Sequence, residues 1–225
     1  MSSRNLKKKI LTLLVSDNFE KHLEDICRIP ARQAVNPLFS FFYNIDEQIR
    51  WRAITAMGAV VSRLADEDME SARVVMRRLI WNLNDESGGI GWGSPEAMGE
   101  IMARHAGLAA EYARMLVSYV DESGNFIENE ILQRGVLWGL GRLAHARPGL
   151  VKPAGPFLLS FLRSGDATHR GLSAWTSGTI RSTPAKPLLH HLSSDNTPIK
   201  IFIDLQLVKI SVGRLAREAL STTGE

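Results

Sequence analysis

The sequence is short of cysteine and of long apolar runs, and each shortage excludes a class of protein. Cys27 is the only cysteine, so no internal disulfide bond can form, and its position in EDICRIP indicates an inert thiol on the apolar side of a helix. No segment approaches the roughly 18 apolar residues of a membrane span, and no small-residue cleavage site follows the short apolar stretch near the N-terminus. We therefore expect a soluble, cytoplasmic protein with no membrane partner.

An excess of charge of one sign is also missing. The 27 lysine and arginine residues nearly balance the 24 aspartate and glutamate residues, which leaves a formal net charge of +3. Apart from the lysines at 7–9, the basic residues are scattered along the chain and do not form the stripe that a nucleic-acid groove needs. We therefore do not expect nucleic acid to be the partner.

The residue patterns of catalysis and metal binding are sparse as well. His190 and His191 are adjacent, so a helix would point their rings apart. Glu96 and Glu100 are carboxylates paired at i, i+4, and a solvated helix face explains such pairs more often than acid–base chemistry does. The tetrapeptide DESG occurs at 85–88 and 121–124, where it is typical of a turn. The sequence thus predicts no catalytic residue, no metal site and no cofactor.

The clearest positive feature is a segment that recurs along the chain. Residues 47–64, EQIRWRAITAMGAVVSRL, have apolar residues at helical spacing, and Gly58 interrupts them where a second backbone must come close. Gly99, Gly141 and, more weakly, Gly178 follow at intervals of 41, 42 and 37 residues. A period near 40 with two helices per unit predicts a solenoid of stacked helical pairs, because no single unit can bury its apolar face alone.

The first unit resembles the HEAT-repeat family, specifically the short bacterial HEAT-like repeats. The second helix of those repeats reads D-x-x-[VI]-R-x-x-A-x-x-[AM]-[LM]-G, and the matching residues here are Asp46, Ile49, Arg50, Ala53, Met57 and Gly58. The resemblance covers about residues 31–194 and implies an α-solenoid that binds other proteins. Later units depart from it, since Gly91 and Gln133 stand where the pattern has arginine.

These observations predict one all-α solenoid domain over residues 1–225. Residues 1–30 are expected to form N-terminal capping helices and residues 31–194 to form the repeats, with only a short helix left of the fifth one. Residues 195–225 are expected to form a small hairpin and a terminal helix that covers the last repeat.

The C-terminal segment changes periodicity. Ile199, Ile201 and Ile203 alternate with other residues, and this period of two with β-branched side chains favours a β-hairpin. A helix is the alternative, because part of the segment also fits a spacing of 3.6 and the turn contains no glycine. Ser211 is a suitable N-cap for the terminal helix.

The repeat register places a set of large and charged side chains on one face of the second helices. Positions seven and three residues before each repeated glycine, and one residue after it, lie on the same side of a helix. The predicted partner-binding residues on this face are Trp51, Trp92, Glu96, Glu100, Arg134, Trp138, Arg142 and Trp175. Aromatic residues and arginines are typical of interface hot spots. The alternative is that the tryptophans fill seams between repeats and that Glu100 and Arg142 form a structural ion pair.

Two functions remain open at this stage. The first is a non-catalytic scaffold that binds a segment of another protein, or a peptide, on its concave face. The second is suggested by HEAT-like proteins with other roles, namely alkylpurine DNA glycosylases and phycobilin lyases. Trp92, Trp138, Glu96 and Arg134 could imitate the aromatic cleft and carboxylate of the glycosylases, although the basic track for DNA is missing. The repeats alone support the lyase alternative.

Overall fold

The computed structural model describes residues 3–84 and 91–223, which form helical pairs and one hairpin. The α-helices are α1 (Ser3–Val15), α2 (Phe19–Cys27), α3 (Ala31–Phe41), α4 (Glu47–Glu67), α5 (Met69–Leu83), α6 (Ser94–Arg104), α7 (Ala106–Ser118), α8 (Glu130–Ala146), α9 (Pro148–Val151), α10 (Gly155–Leu162), α11 (Ala167–Thr179), α12 (Lys186–Leu192) and α13 (Val212–Thr223). The strands are β1 (Pro198–Ile203) and β2 (Gln206–Ser211). Within the described residues, no helix combines the length and apolarity needed to cross a membrane.

The helices stack in two layers. An inner layer is formed by α2, α4, α6, α8, α11 and α13, each of which contacts the next. Each inner helix also packs against the helix that precedes it in its pair, namely α1, α3, α5, α7, α10 or α12. Because neighbouring pairs share their apolar faces, one hydrophobic core runs through most of the stack. The prediction of an α-solenoid of stacked helical pairs with a C-terminal hairpin is confirmed.

Polar side chains fix where several inner helices begin. Asp46, Asn129 and Asp166 each accept hydrogen bonds from the backbone N–H groups two and three residues ahead. These bonds satisfy donors that a helix start leaves without an intrahelical partner. The helix α6 begins differently, after Gly93 at φ 76°, where an added Cβ would lie 2.8 Å from the Phe42 ring. A glycine is therefore required at this helix start.

The repeated glycines lie where inner helices cross. A Cβ at Gly58 would overlap the Glu100 side chain, and one at Gly99 would overlap the backbone of Gly139. In the next two units a Cβ would meet the Trp175 ring or the backbone of Ala219. Each glycine thus faces the following inner helix, which explains why a residue that is unfavourable within a helix recurs at this spacing.

Three local features differ from the sequence-based expectation. The helix α13 packs on α11 and α12, so α12 and α13 form a complete helical pair, the sixth of the stack and the fifth repeat, with the hairpin between its two helices. The short helix α9 was not predicted. The sequence suggests Asp17 as the N-cap of the second helix, whereas the N-cap residue of α2 is Asn18. The first DESG segment lies outside the described residues, whereas the second forms a turn in which Asp121 accepts a hydrogen bond from the Ser123 amide at 2.9 Å.

The hairpin is a pair of antiparallel strands joined by a two-residue turn. The last pair of facing residues is Ile203 and Gln206, and the turn residues Asp204 and Leu205 both have positive φ, 48° and 63°. Such a turn matches the twist of the strands, although glycine or asparagine usually occupies these positions. The hairpin prediction is confirmed and the helical alternative is wrong.

Candidate functional site

The inner helices and the hairpin enclose three cavities. The tip groove, about 680 Å³, lies between α2, α4, α6, α8, α11 and residues 202–205 at the hairpin tip. The aromatic cleft, about 250 Å³, lies between Phe42, Trp51, Trp92, Glu96 and Leu132. The central cleft, about 350 Å³, lies between α4, α6, α8, α11 and the hairpin strands. All eight predicted partner-binding residues line at least one of the three.

The hairpin covers the middle of this inner face. The Phe202 ring stacks on Trp51 with ring centroids 5.0 Å apart and planes 4° apart. The Trp138 indole donates a hydrogen bond from Nε1 to the Phe202 carbonyl at 2.9 Å. The two tryptophan rings also contact each other, with centroids 4.6 Å apart. Trp138 is only 4% exposed, and it is covered by the hairpin as well as by Trp51 of an earlier repeat.

Polar contacts hold the hairpin to the first repeat. The Lys200 ammonium lies 2.7 Å from the Glu47 carboxylate at the start of α4. Gln48 donates a hydrogen bond from Nε2 to the Leu205 carbonyl at 3.5 Å. Chain segments more than 150 residues apart in the sequence are thereby joined across the inner face.

The tip groove contains a buried carboxylate between two arginines. Glu100 is 4% exposed and accepts hydrogen bonds from Arg104 Nε at 2.6 Å and from Arg142 Nε at 2.5 Å. The predicted ion pair of Glu100 with Arg142 is therefore present and has a second arginine. Beside it the Trp175 ring stacks on His145, with ring centroids 4.5 Å apart. The groove thus presents guanidinium groups next to aromatic rings.

Arg134 lines the central cleft and forms an ion pair with Asp166, the N-cap of α11. Burial acts to raise the pKa of Asp166, but hydrogen bonds from Arg134 and from the backbone of His169 and Thr168 together hold this pKa below its ordinary value. The carboxylate is therefore stabilised in its charged form. Arg134 thus helps to fix the start of α11 as well as lining the cavity.

Trp92 is the most open of the predicted tryptophans. It follows Gly91 in the turn before α6, is 38% exposed, and lies 6.4 Å from Tyr43 between ring centroids. Its ring lines the aromatic cleft. Trp81 is more exposed still, at 64%, but it lies on α5 and lines none of the three cavities.

Glu96 differs from the other charged residues of the inner face because one oxygen of its carboxyl group is buried without a partner. Oε2 makes no hydrogen bond, and the carboxyl group rests against Gly135 of α8, where an added Cβ would lie 2.7 Å from it. Burial raises the pKa of Glu96 to about 7, although the nearby Arg50 acts to lower it. The sequence offered only the i, i+4 spacing with Glu100, which does not reveal that the two carboxyls have different surroundings.

Metal ligands do not gather in the described part of the chain. No three His, Cys, Asp or Glu side chains come together there in a way that could hold an ion.

Comparisons with known proteins give similarity in fold more than in sequence. No family model matches the chain. An uncharacterised protein of Archaeoglobus fulgidus is 30% identical over 136 residues, which cover 58% of this chain and 66% of that protein. The match thus spans slightly less than two thirds of the relative's length.

Two solved structures are similar over nearly the whole chain. An engineered protein has a TM-score of 0.57 at 16% identity, covering 100% of this chain and 97% of its own. A designed armadillo repeat protein in complex with the peptide (KR)4 has a TM-score of 0.53 at 16% identity, covering 96% of this chain and 98% of its own. At these identities the similarity concerns the backbone arrangement alone.

Proposed function

The chain has the fold of the armadillo and HEAT-like repeat proteins, and from this premise we propose that it is a non-catalytic scaffold that binds an extended segment of another protein on its inner face. The fold by itself does not specify a function. The proposal therefore depends on the chemistry of the inner face.

The observation that carries the proposal is the way the inner face holds the chain's own strand β1. Trp138 donates a hydrogen bond to a main-chain carbonyl of that strand, while Trp51 stacks on its aromatic side chain. A main-chain hydrogen bond together with a side-chain pocket is the general mode by which extended segments are recognised. The same face is therefore suited to an extended segment of a partner.

The tip groove is the space that the hairpin leaves for such a segment. It continues the path of the hairpin tip along α6 and α8 and has a volume of about 680 Å³. Arg104 and Arg142 reach Glu100 through Nε, and Trp175 lies beside them. Arginine and tryptophan are the side chains most enriched among residues that dominate binding energy. We place the partner segment in this groove and in the neighbouring aromatic cleft.

The designed armadillo protein supports the kind of partner, because that protein is in complex with a peptide and has the same stacked-helix arrangement. The sequence of its peptide has no bearing on this chain at 16% identity. What carries over is that a protein with this fold can bind a peptide.

A peptide selection tests the proposal. The purified protein is used to select binders from a random displayed peptide library, and the affinities of the enriched peptides are measured by fluorescence polarisation. Trp92→Ala should weaken binding by roughly tenfold, the usual loss of about 1 to 2 kcal/mol for an exposed aromatic anchor. Trp81→Ala is the matched control, since it removes an exposed tryptophan away from the three cavities.

Two results would contradict the proposed scaffold function. If no peptide is enriched, or if the enriched peptides bind Trp92→Ala, Arg104→Gln and Trp175→Ala variants as tightly as the original protein, the inner face is not the binding surface. Circular dichroism of each variant checks that the helices are retained.

One observation favours the second candidate, a glycosylase-like nucleic-acid enzyme. The aromatic cleft contains Trp51, Trp92 and the Glu96 carboxyl in one cavity, which is the combination of aromatic rings and acid that this alternative needs. Binding of duplex DNA measured against salt concentration separates the two candidates, because contacts to phosphates give a steep loss of affinity with salt. The phycobilin-lyase alternative gains no residue from the structure.

A further inference from the structure

The Glu96 side chain lines the aromatic cleft, and its carboxyl group has one oxygen, Oε2, without a hydrogen-bond partner. We propose that this cleft is a subsite for a primary ammonium group, the end of a lysine side chain of the bound segment, with Glu96 as its carboxylate partner. The inference deepens the proposed scaffold by naming one side chain of the partner. It is tested below with a small amine, so its failure is distinguishable from failure of the scaffold.

Gly135 provides the room for this carboxyl group. Glu96 projects from α6 onto α8, and a Cβ at Gly135 would lie 2.7 Å from the carboxyl carbon and from both carboxyl oxygens. A glycine in the interior of α8 is unfavourable for the helix and needs a packing reason. The reason here is the Glu96 carboxyl group, which lies where a Cβ at residue 135 would be. Its Oε2 has no protein partner. Leaving such an oxygen buried without a partner is costly in itself.

The walls of the cleft suit a cation. Trp51 and Trp92 both line it, together with the apolar side chains of Ile54 and Leu132 and the charged side chain of Arg50. Tryptophan attracts an ammonium group through the negative face of its ring, and the attraction is stronger where water is excluded. The aliphatic part of a lysine side chain would at the same time cover the apolar walls.

The charged groups that face Glu96 are already engaged. From α4, Arg50 donates a hydrogen bond to the Asn44 carbonyl at 3.3 Å and lies 3.5 Å from Glu47. The remaining charges around the two clefts that Glu96 lines also have partners: Arg134 of α8 is paired with Asp166, and Lys200 of β1 is paired with Glu47. Each of these cations is therefore held by another acceptor, and Glu96 remains available to a cation that enters from outside.

The geometry favours ammonium over guanidinium. Arginine binds carboxylates best with two parallel hydrogen bonds to two free oxygens, whereas lysine acts as a compact point charge. The Glu96 side chain reaches the cleft from α6, and the cavity of about 250 Å³ is small. A lysine side chain, which ends in a single charged nitrogen on an unbranched alkyl chain, fits a small cavity of this kind and can approach the Glu96 carboxyl group.

The test compares two small probes of the same shape, n-butylammonium chloride and 1-butanol, at matched ionic strength. Binding to the intact protein is followed by the shift of amide and indole NMR signals, including that of Trp92. At a pH of about 8.5, where Glu96 is ionised, we expect the ammonium to bind roughly tenfold more tightly than the alcohol. At a pH of about 5.5 the carboxyl is protonated, so this preference should be lost.

Two variants make the test specific. Glu96→Gln keeps the shape of the side chain and should abolish the preference for ammonium at both pH values. Glu128→Gln removes a carboxylate of an exposed residue and should leave the preference unchanged. Equal binding of both probes to the original protein, or a preference that survives in Glu96→Gln, would overturn the subsite. Preferential binding of butyrate, a third probe with the opposite charge, would also overturn it. The comparison of pH values on the original protein keeps the test decisive if a variant folds poorly.

Discussion

At the scale of single residues, Glu96 and Glu100 show how one turn of helix separates two environments. Both project from α6 onto α8, but Glu100 meets Arg104 and Arg142, whereas Glu96 meets Gly135. The buried Glu100 is compensated by two charged hydrogen bonds, as a buried charge must be. Glu96 instead holds its proton more tightly, with a pKa of about 7.

The raised pKa of Glu96 makes the stability of the fold depend on pH. The folded-state pKa of about 7 exceeds the ordinary value of 4.5, so between these values the folded protein binds more protons than the unfolded chain. The contribution of this carboxyl is fully present below about 4.5 and is lost as the pH rises through about 7. We expect Glu96→Gln to be nearly neutral at acidic pH and to stabilise the protein by up to about 3 kcal/mol at a pH of about 8.5, because each unit between 4.5 and about 7 corresponds to about 1.4 kcal/mol.

Urea unfolding of the original protein and of Glu96→Gln at several pH values measures this difference. Other groups titrate in both proteins and cancel in the comparison. A difference between the two free energies of unfolding that stays constant from pH 5 to 8.5 would show that Glu96 has an ordinary pKa.

The glycines of the inner helices lead to a second prediction at the scale of single residues. Gly99→Ala would place a methyl group on the backbone of Gly139, where no flexible side chain can move away. We expect a loss of about 3 kcal/mol in the free energy of unfolding, because the two helices must separate. Gly165→Ala is the control, since no atom lies within 4 Å of the added Cβ and its effect should be small. Equal thermal midpoints for the two variants would contradict the close crossing of α6 and α8.

At the scale of secondary-structure elements, the docking of the hairpin depends on one aromatic residue. Phe202 is buried and contacts both Trp51 and Trp138. We expect Phe202→Ala to lower the free energy of unfolding by about 3 kcal/mol, the usual cost of a large-to-small change in a core. Loss of the stacking should also expose both indoles and shift tryptophan emission to longer wavelength.

A change on the other strand serves as the control for this prediction. Lys209 lies on β2 with its side chain exposed, so Lys209→Ala should change stability by less than about 0.5 kcal/mol and leave the emission unchanged. Unaltered emission in Phe202→Ala would mean that the hairpin does not cover the tryptophans in solution.

Local signals in the sequence mark where several of the helices begin. Asp46, Asn129 and Asp166 are capping residues immediately before apolar periodic segments, and their helices begin one residue later. The four-residue helix α9 carries no such periodicity and was missed. The hairpin was predicted from its alternating pattern, although its turn at Asp204 and Leu205 lacks the usual glycine.

The position of the hairpin on the inner face and the chemistry of the site could not be predicted from the sequence. Nothing within residues 198–211 indicates that Phe202 will lie on Trp51, because that contact depends on the curvature of the whole stack. The eight residues that the repeat register placed on one face do line the three neighbouring cavities, because the period of the repeat fixes which side of each helix is inward. It did not distinguish the covered Trp138, which the hairpin contacts, from the open Trp92 in the turn before α6.

At the scale of the whole molecule, the hairpin changes how the stack behaves. A solenoid is held together by contacts between neighbours, so it can unfold from its ends one unit at a time. Here Lys200 and Leu205 bind Glu47 and Gln48 of the first repeat, and the two ends of the stack are therefore coupled. We expect the intact protein to unfold in a single cooperative step.

Replacing residues 198–211 by a glycine–serine linker of equal length tests this coupling. The linker variant lacks the contacts of the hairpin, but its helices should remain folded. Its urea transition should be broader or divided in two, because distant repeats no longer stabilise each other. Circular dichroism and tryptophan fluorescence followed together show whether the transitions coincide. A single sharp transition in the linker variant would mean that the inner layer alone couples the ends.

The late position of the hairpin in the sequence also has a consequence during synthesis. Phe202 is made 151 residues after Trp51, which at about 5 to 20 residues per second corresponds to roughly 8 to 30 s of translation. Throughout that interval the first repeats can form while their aromatic inner face has no cover. The nascent chain therefore presents Trp51, and later Trp138, to the crowded surroundings of the ribosome, and its exposure to chaperones and to premature association ends only when the last strands emerge.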